Sequence, residues 1–139
     1  MRHPIRVVAL ACALALTPAC ASLPRFENPI AAAQSADQEA YALLSTYAAV
    51  LEEATDVVRD PATPDAVRQA LAHAERAATP AVETLQIAAS AYLRAKADLA
   101  ASGNQNAITA LTVAANRLSQ AINAARQPIG ELQTLVRGR

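Results

Sequence analysis

The stretch that decides the fold is TPDAVRQALAHAERAATPAVETLQIAASAYLRAKADLAASG, residues 63–103. Its apolar residues recur at alternating intervals of four and three: Val67, Leu71, Ala74, Ala78, Ala81, Leu85, Ala88, Tyr92, Ala95 and Leu99. This spacing places one apolar stripe along one side of an α-helix. It predicts a helix with Thr63 as its N-cap, Pro64 in its first turn and its end at Gly103.

The segments on either side repeat the same spacing. The later stripe consists of Ile108, Leu111, Ala115, Leu118, Ile122, Ala125, Ile129, Leu132 and Val136. The earlier stripe consists of Tyr41, Leu44, Ala48, Leu51, Thr55 and Val58. Flanking apolar residues widen the buried face of this first helix, as suits a helix that contacts two neighbours in a globular bundle: Leu43, Tyr47, Val50 and Val57. Such long 3–4 repeats favour shallow helix crossings, and no run of alternating β-branched residues proposes a strand. The sequence therefore predicts an all-α antiparallel three-helix bundle over residues 35–137.

The helix boundaries follow from capping and helix-breaking residues. The first helix begins either at Pro29, with Asn28 as its cap, or at Ser35, whose tetrapeptide Ser35-Ala36-Asp37-Gln38 has the spacing of a capping box. It ends near Arg59, before Asp60-Pro61. The third helix begins near Asn104 or Asn106 and ends at about Val136.

Two prolines fall inside the second and third helical segments. The apolar spacing passes Pro80 and Pro128 without a slip, which predicts long, continuous, Pro-kinked helices. The alternative is a new helix capped by Thr79, which would produce a four-helix bundle. Alanine in the second stripe also predicts close helix packing, so that Ala81→Leu or Ala88→Leu should cost about 1–3 kcal/mol.

Residues 1–21 have the composition of a bacterial export signal. Arg2 and Arg6 precede the apolar run 7–16, and small residues follow. The run has about half the roughly 20 residues that a membrane-spanning helix needs. We therefore expect a signal peptide that is cleaved before Cys20 or after Ala21. Residues 22–34 then form a tether or the start of the first helix.

The cleavage region permits two products. Leu16-Thr17-Pro18-Ala19-Cys20 resembles the lipobox of bacterial lipoproteins. The resemblance implies lipidation of Cys20 and a membrane anchor through the N-terminal lipid, and Ala21 after the cysteine implies the outer membrane. Alternatively, Ala19-Cys20-Ala21 is an A-x-A site, and cleavage after Ala21 releases a soluble periplasmic or secreted protein.

Composition argues against several classes of function. The chain has 12 basic and 12 acidic residues, which does not supply the basic surface that nucleic-acid binding requires. Beyond His3, His73 is the only histidine, so the repeated Glu-x-x-His ligands of a metal-binding bundle are missing. No nucleophile elbow or glycine-rich phosphate loop is present. We expect no catalytic residue, metal or cofactor.

Two polar features remain. An uncharged stripe on the third helix is either a solvated face or a site for a partner helix or envelope polysaccharide: Thr109, Thr112, Asn116, Gln120, Asn123 and Gln127. An acidic cluster ends the first helix: Glu52, Glu53, Asp56 and Asp60. Because the first and third helices run parallel in an up-down-up bundle, we expect this cluster to lie near Arg126 and Arg137.

Together these patterns predict an exported cell-envelope protein whose helical bundle acts in interaction or scaffolding. The expected partners are the membrane, through the lipid anchor, and an envelope protein of unknown identity. A soluble periplasmic binding or inhibitor module is the first alternative, and a phage-derived envelope factor is the second. The sequence leaves the oligomeric state open.

Overall fold

The computed structural model describes residues 35–138, which form three α-helices. They are α1 (Ala36–Arg59), α2 (Asp65–Ser102) and α3 (Gln105–Arg137). All three helices pack against one another as an antiparallel bundle, so the predicted all-α three-helix fold is confirmed. The predicted signal peptide, the tether and the alternative helix start at Pro29 lie outside the described residues.

The α1–α2 turn is closed by side chains. The Asp60 carboxylate accepts from the backbone N–H of Ala62 at 2.9 Å, and Thr63 Oγ1 donates to the Val57 carbonyl at 2.8 Å. Thr63 is 6% exposed, and Pro64, one residue later, is the N-cap of α2. The prediction that Thr63 caps α2 is therefore wrong, because its hydroxyl bonds back to the end of α1.

The start of α1 also differs in detail from the prediction. Ser35 is the N-cap in extended backbone conformation, as expected for a helix that begins at Ala36. Its hydroxyl donates to Asp37 Oδ1 at 2.6 Å, and it accepts no bond from a helical N–H. The Ser35 half of the predicted capping box is therefore not formed, and the hydroxyl contacts the Asp37 carboxylate instead.

The α2–α3 turn has only two residues outside the helices. Gly103 has φ of 60°, a left-handed conformation that glycine adopts without the steric cost of a Cβ atom. The Asn104 side chain then accepts from the Ala107 N–H at 2.8 Å and caps α3. The predicted end of α2 at Gly103 and the predicted start of α3 near Asn104 are both confirmed. The short turn keeps α2 and α3 antiparallel neighbours.

Pro80 and Pro128 lie inside α2 and α3, which continue through them. The four-helix alternative is therefore wrong. A proline in a helix interior removes one backbone hydrogen bond and costs about 3 kcal/mol or more. Buried residues next to each proline offset this cost: Ala78 and Ala125 are fully buried, and Val82 is 4% exposed.

A hydrogen bond joins α1 to α2 beside Pro80. The Tyr47 hydroxyl lies 3.0 Å from Thr79 Oγ1. The Thr79 hydroxyl donates a hydrogen bond to the Glu75 carbonyl at 2.9 Å. Because the Thr79 proton is used on that carbonyl, Tyr47 is the donor between the two hydroxyls. The bond fixes α1 against the middle of α2.

The predicted apolar stripe of α2 is buried or half-buried along its whole length. In α3 the prediction is also confirmed from Leu118 to Val136. It is wrong at the first turn, where Ala107 is buried and Ile108 is 43% exposed. The largest fully buried side chains come from all three helices: Leu43, Leu71, Leu85, Leu118, Ile129, Leu132 and Val50.

The buried stripe of α1 lies one residue before the main predicted stripe, and the predicted core position of the flanking residues is confirmed: Leu43, Tyr47, Val50 and Val57. The inner seam, which we define as the residues of α1 that face the other two helices, consists of Ala40, Leu43, Tyr47, Val50, Ala54 and Val57. Tyr41 from the predicted stripe is instead 74% exposed. Both stripes have the same 3–4 spacing. The inner seam offers Leu43, Tyr47 and Val50 to the bundle, whereas the predicted stripe contains the polar Thr55.

The three helices differ in length. At 1.5 Å per residue, α1, α2 and α3 are about 36, 57 and 50 Å long. The start of α1 lies beside Lys96, whose Nζ is 3.3 Å from Asp37 Oδ2. The last turns of α2 and the first turns of α3 therefore extend beyond α1, which explains the exposure of Ile108.

Candidate interaction surfaces

The polar stripe predicted on α3 lies in solvent. All six residues are exposed, and they lie opposite the buried stripe of the same helix. Thr109 and Thr112 donate to carbonyls one turn earlier, and Gln127 donates to Glu131 Oε1 at 2.9 Å. Within residues 35–138 the three other amides make no hydrogen bond: Asn116, Gln120 and Asn123. Their donors and acceptors are available, so the prediction of a partner face on α3 stays a prediction.

The acidic cluster at the end of α1 is also exposed. Arg126, which the sequence analysis places near it, forms its ion pair with Glu39 near the opposite end of α1. The predicted position of Arg126 is therefore wrong, because α1 starts beside the middle of α3. The ends of the two helices do pack together, since Val50 and Ala54 of α1 share a core cluster with Leu132 and Val136 of α3. Glu52, Glu53 and Asp56 form no ion pair with any residue of the described part of the chain.

A second ion pair holds the start of α1 to α2. Asp37 accepts from the Ser35 hydroxyl and lies 3.3 Å from Lys96 Nζ. The hydrogen bond from Ser35, followed by that from Lys96, lowers the pKa of the Asp37 carboxyl below its ordinary value. The Lys96 ammonium also lies 6.0 Å from the centre of the Tyr92 ring. These contacts fix the end of α1 that follows residues 1–34.

The structure also locates the side chains considered for chemistry. His73 is exposed on α2, and the hydroxyls of Ser45 and Ser102 donate to carbonyls of their own helices. Among residues 35–138, no three histidine, cysteine, aspartate or glutamate side chains are grouped so as to hold a metal ion. Within the same range, no helix combines the length and the hydropathy needed to cross a lipid bilayer.

The displaced stripe of α1 forms a surface that the sequence analysis assigned to the core. We call it the outer seam: Tyr41, Leu44, Ala48, Leu51, Thr55 and Val58. Leu44 and Leu51 are half-buried at the edge of the core, whereas Tyr41 and Val58 are 74% and 45% exposed. The signal for two faces was present in the sequence, because α1 carries two adjacent stripes with 3–4 spacing. In this bundle α1 packs the whole inner seam against its neighbours, and the outer seam only at Leu44 and Leu51.

The end of the outer seam borders an open cleft of about 520 Å³ between α1 and α2. Leu51 and Val58 line it from α1, and Leu71 forms part of its floor. The guanidinium of Arg68 also lines the cleft and donates to the Asp60 carbonyl at 2.9 Å. The volume lies in the range of small-molecule sites.

Comparison with known proteins adds no relative: no protein-family model, no curated protein and no solved structure matches this chain.

Proposed function

We propose that this chain is an exported bacterial cell-envelope lipoprotein whose three-helix bundle is an interaction or scaffolding module. The observation that carries the proposal is the order of features in residues 2–20: two arginines, a short apolar run and a lipobox-like segment that ends at Cys20. The exposed surfaces of the bundle support the second half of the proposal. No catalysis is proposed.

Lipidation of Cys20 would place the bundle close to a membrane. Each buried methylene of an acyl chain contributes about 0.8 kcal/mol, so a multiply acylated cysteine stays bound essentially permanently. Fourteen residues separate Cys20 from Ser35. A chain of that length reaches at most about 50 Å when fully extended. The start of α1 would therefore remain within this distance of the lipid, and a periplasm-facing, outer-membrane location follows from Ala21 under the lipoprotein resemblance.

The interaction role is supported by two exposed faces with different chemistry. The stripe from Thr109 to Gln127 offers uncharged hydrogen-bonding groups, and the outer seam offers apolar side chains in a helical repeat. Burial of amides by a partner avoids the larger cost of desolvating charges. Burial of the outer seam would be driven by the hydrophobic effect.

The anchor is tested by expressing the full chain in a bacterium and measuring the intact mass of the processed protein. We expect a product that begins at an acylated Cys20 and requires detergent for extraction. Cys20→Ser should abolish acylation, whereas the matched variant Cys12→Ser should leave it unchanged. A water-soluble product that begins at Ser22 would contradict the lipoprotein proposal.

A water-soluble product that begins at Ser22 would favour the alternative function, a soluble periplasmic binding or inhibitor module. The observation behind it is Ala19-Cys20-Ala21, which fits cleavage after Ala21. The bundle would then carry its binding surfaces without a membrane anchor.

A further inference from the structure

We infer that the outer seam of α1 is a docking site for an amphipathic helix of a partner protein, with basic residues beside the apolar stripe of that helix. The inference deepens the proposed interaction function and rests on it. Docking on the outer seam does not require lipidation of Cys20, so the docking inference and the lipoprotein proposal can fail independently.

The outer seam has the length and spacing that a partner helix recognises. Tyr41 and Val58 are 17 positions apart, which corresponds to about 26 Å, or nearly five helical turns. Apolar side chains at intervals of three and four lie on one face of α1. An amphipathic helix packs against such a face with its own apolar residues at the same intervals.

The exposure of this row distinguishes it from the other helices. Single exposed apolar residues are ordinary on protein surfaces. In the outer seam the exposed Tyr41 and Val58 are joined by a row of helical spacing that contains the exposed Ala48 and the half-buried Leu44 and Leu51. On α2 the most exposed large apolar residues, Ile87 and Leu93, are six positions apart and do not form a row of helical spacing. The exposed large apolar residues of α3, Ile108, Val113 and Leu135, also form no row of helical spacing, and the same helix carries the polar stripe. Among the described helices, α1 therefore has the apolar face best suited to a helical partner.

The cleft at the end of the outer seam provides a place for an anchoring side chain. Leu51 and Val58 form its wall on α1, and Leu71 and Ala72 belong to the facing part of α2. Large side chains that fill such pockets contribute most of the binding energy in helical interfaces. A partner helix on the outer seam would reach this cleft with the apolar residue at one of its ends.

The charges beside the outer seam select the kind of helix. Glu52 and Asp56 are exposed one turn apart on the solvent side of the seam, with Glu53 beside them, and no ion pair within residues 35–138 neutralises them. Basic residues of the partner that lie opposite Glu52 and Asp56 would therefore be attracted, whereas Arg59 and Arg68 line the cleft at the end of the seam. A second copy of α1 would bring the same acidic groups, and an anionic lipid surface would be repelled.

The test uses the full chain and a synthetic 18-residue helical peptide with leucines at 3–4 spacing and lysines beside them. A control peptide carries glutamate at every lysine position. Binding is measured by fluorescence anisotropy at two salt concentrations. We expect the lysine peptide to bind at least tenfold more tightly than the control peptide, with a Kd that rises with salt.

Variants of exposed residues then locate the binding surface. Tyr41→Gln and Val58→Gln should each weaken binding about tenfold, whereas Ile87→Gln, at a residue of similar exposure, should not. Glu52→Gln should reduce the salt dependence, and Glu83→Gln on α2 is its matched control. Circular dichroism confirms that each variant is folded.

Three results would overturn the inference. The first is the absence of binding by the lysine peptide, and the second is an equal loss of affinity in Ile87→Gln and Tyr41→Gln. The third is sedimentation as a dimer that Tyr41→Gln dissociates, because the outer seam would then contact a second copy. None of these results bears on the acylation of Cys20.

Discussion

Leucine in place of Ala125 tests how closely the three helices pack. Ala125 is fully buried, and it belongs to the cluster that joins Leu43 of α1, Leu85 of α2 and Ile122 of α3. Such a position has no free volume for the three additional carbon atoms of leucine. Neighbouring side chains or whole helices must therefore move. Overpacking of this kind costs about 1–3 kcal/mol. For a domain of about 100 residues, this corresponds to a loss of about 5–20 °C in Tm.

The measurement is urea and thermal unfolding, followed by circular dichroism, of the wild-type protein, Ala125→Leu and Ala124→Leu. Ala124 is exposed on the same turn, so the same substitution there should change the free energy of unfolding by less than about 0.5 kcal/mol. Equal stability of the two variants would refute the close packing of the bundle. The structure also orders the two variants expected from sequence, because Ala81 is half-buried and Ala88 is buried: Ala88→Leu should be the more destabilising.

Three further substitutions test local features. Pro80→Ala should raise the free energy of unfolding by about 1–3 kcal/mol in urea titrations, because it restores a helical N–H, and lower stability would show that the bundle requires the proline. Tyr47→Phe should cost about 0.5–1.5 kcal/mol by removing the donor to Thr79, and an unchanged urea midpoint would exclude a stabilising role for that bond. Asp37→Asn should lower stability at pH 7 by at most about 1 kcal/mol. The pKa of Asp37 is lowered in the folded state. The stabilisation from its carboxylate is therefore fully present above the unfolded pKa, near 3.9, and is lost as pH falls through the folded pKa. The difference between wild type and Asp37→Asn should therefore disappear in acid, and a constant difference between pH 7 and pH 2 would contradict this assignment.

The candidate surfaces could be predicted only in part. The polar stripe of α3 was readable because its residues lie opposite a strongly apolar stripe on the same helix. The outer seam of α1 was not, since an exposed row of apolar residues has the same spacing as a buried one. The ion pair between Arg126 and Glu39 was also missed, because it depends on how far α1 extends along α3.

The sequence by itself determined the three helices, the turns around Asp60-Pro61 and Gly103, and the buried stripe of α2. These features depend on the periodicity of apolar residues and on the backbone preferences of residues next to one another, which are local properties. Only the tertiary structure decided which stripe of α1 is buried, because burial depends on where α2 and α3 lie around it. The buried stripe carries Leu43 and Val50, which fill the space between the helices, and the neighbouring stripe contacts the core only through Leu44 and Leu51.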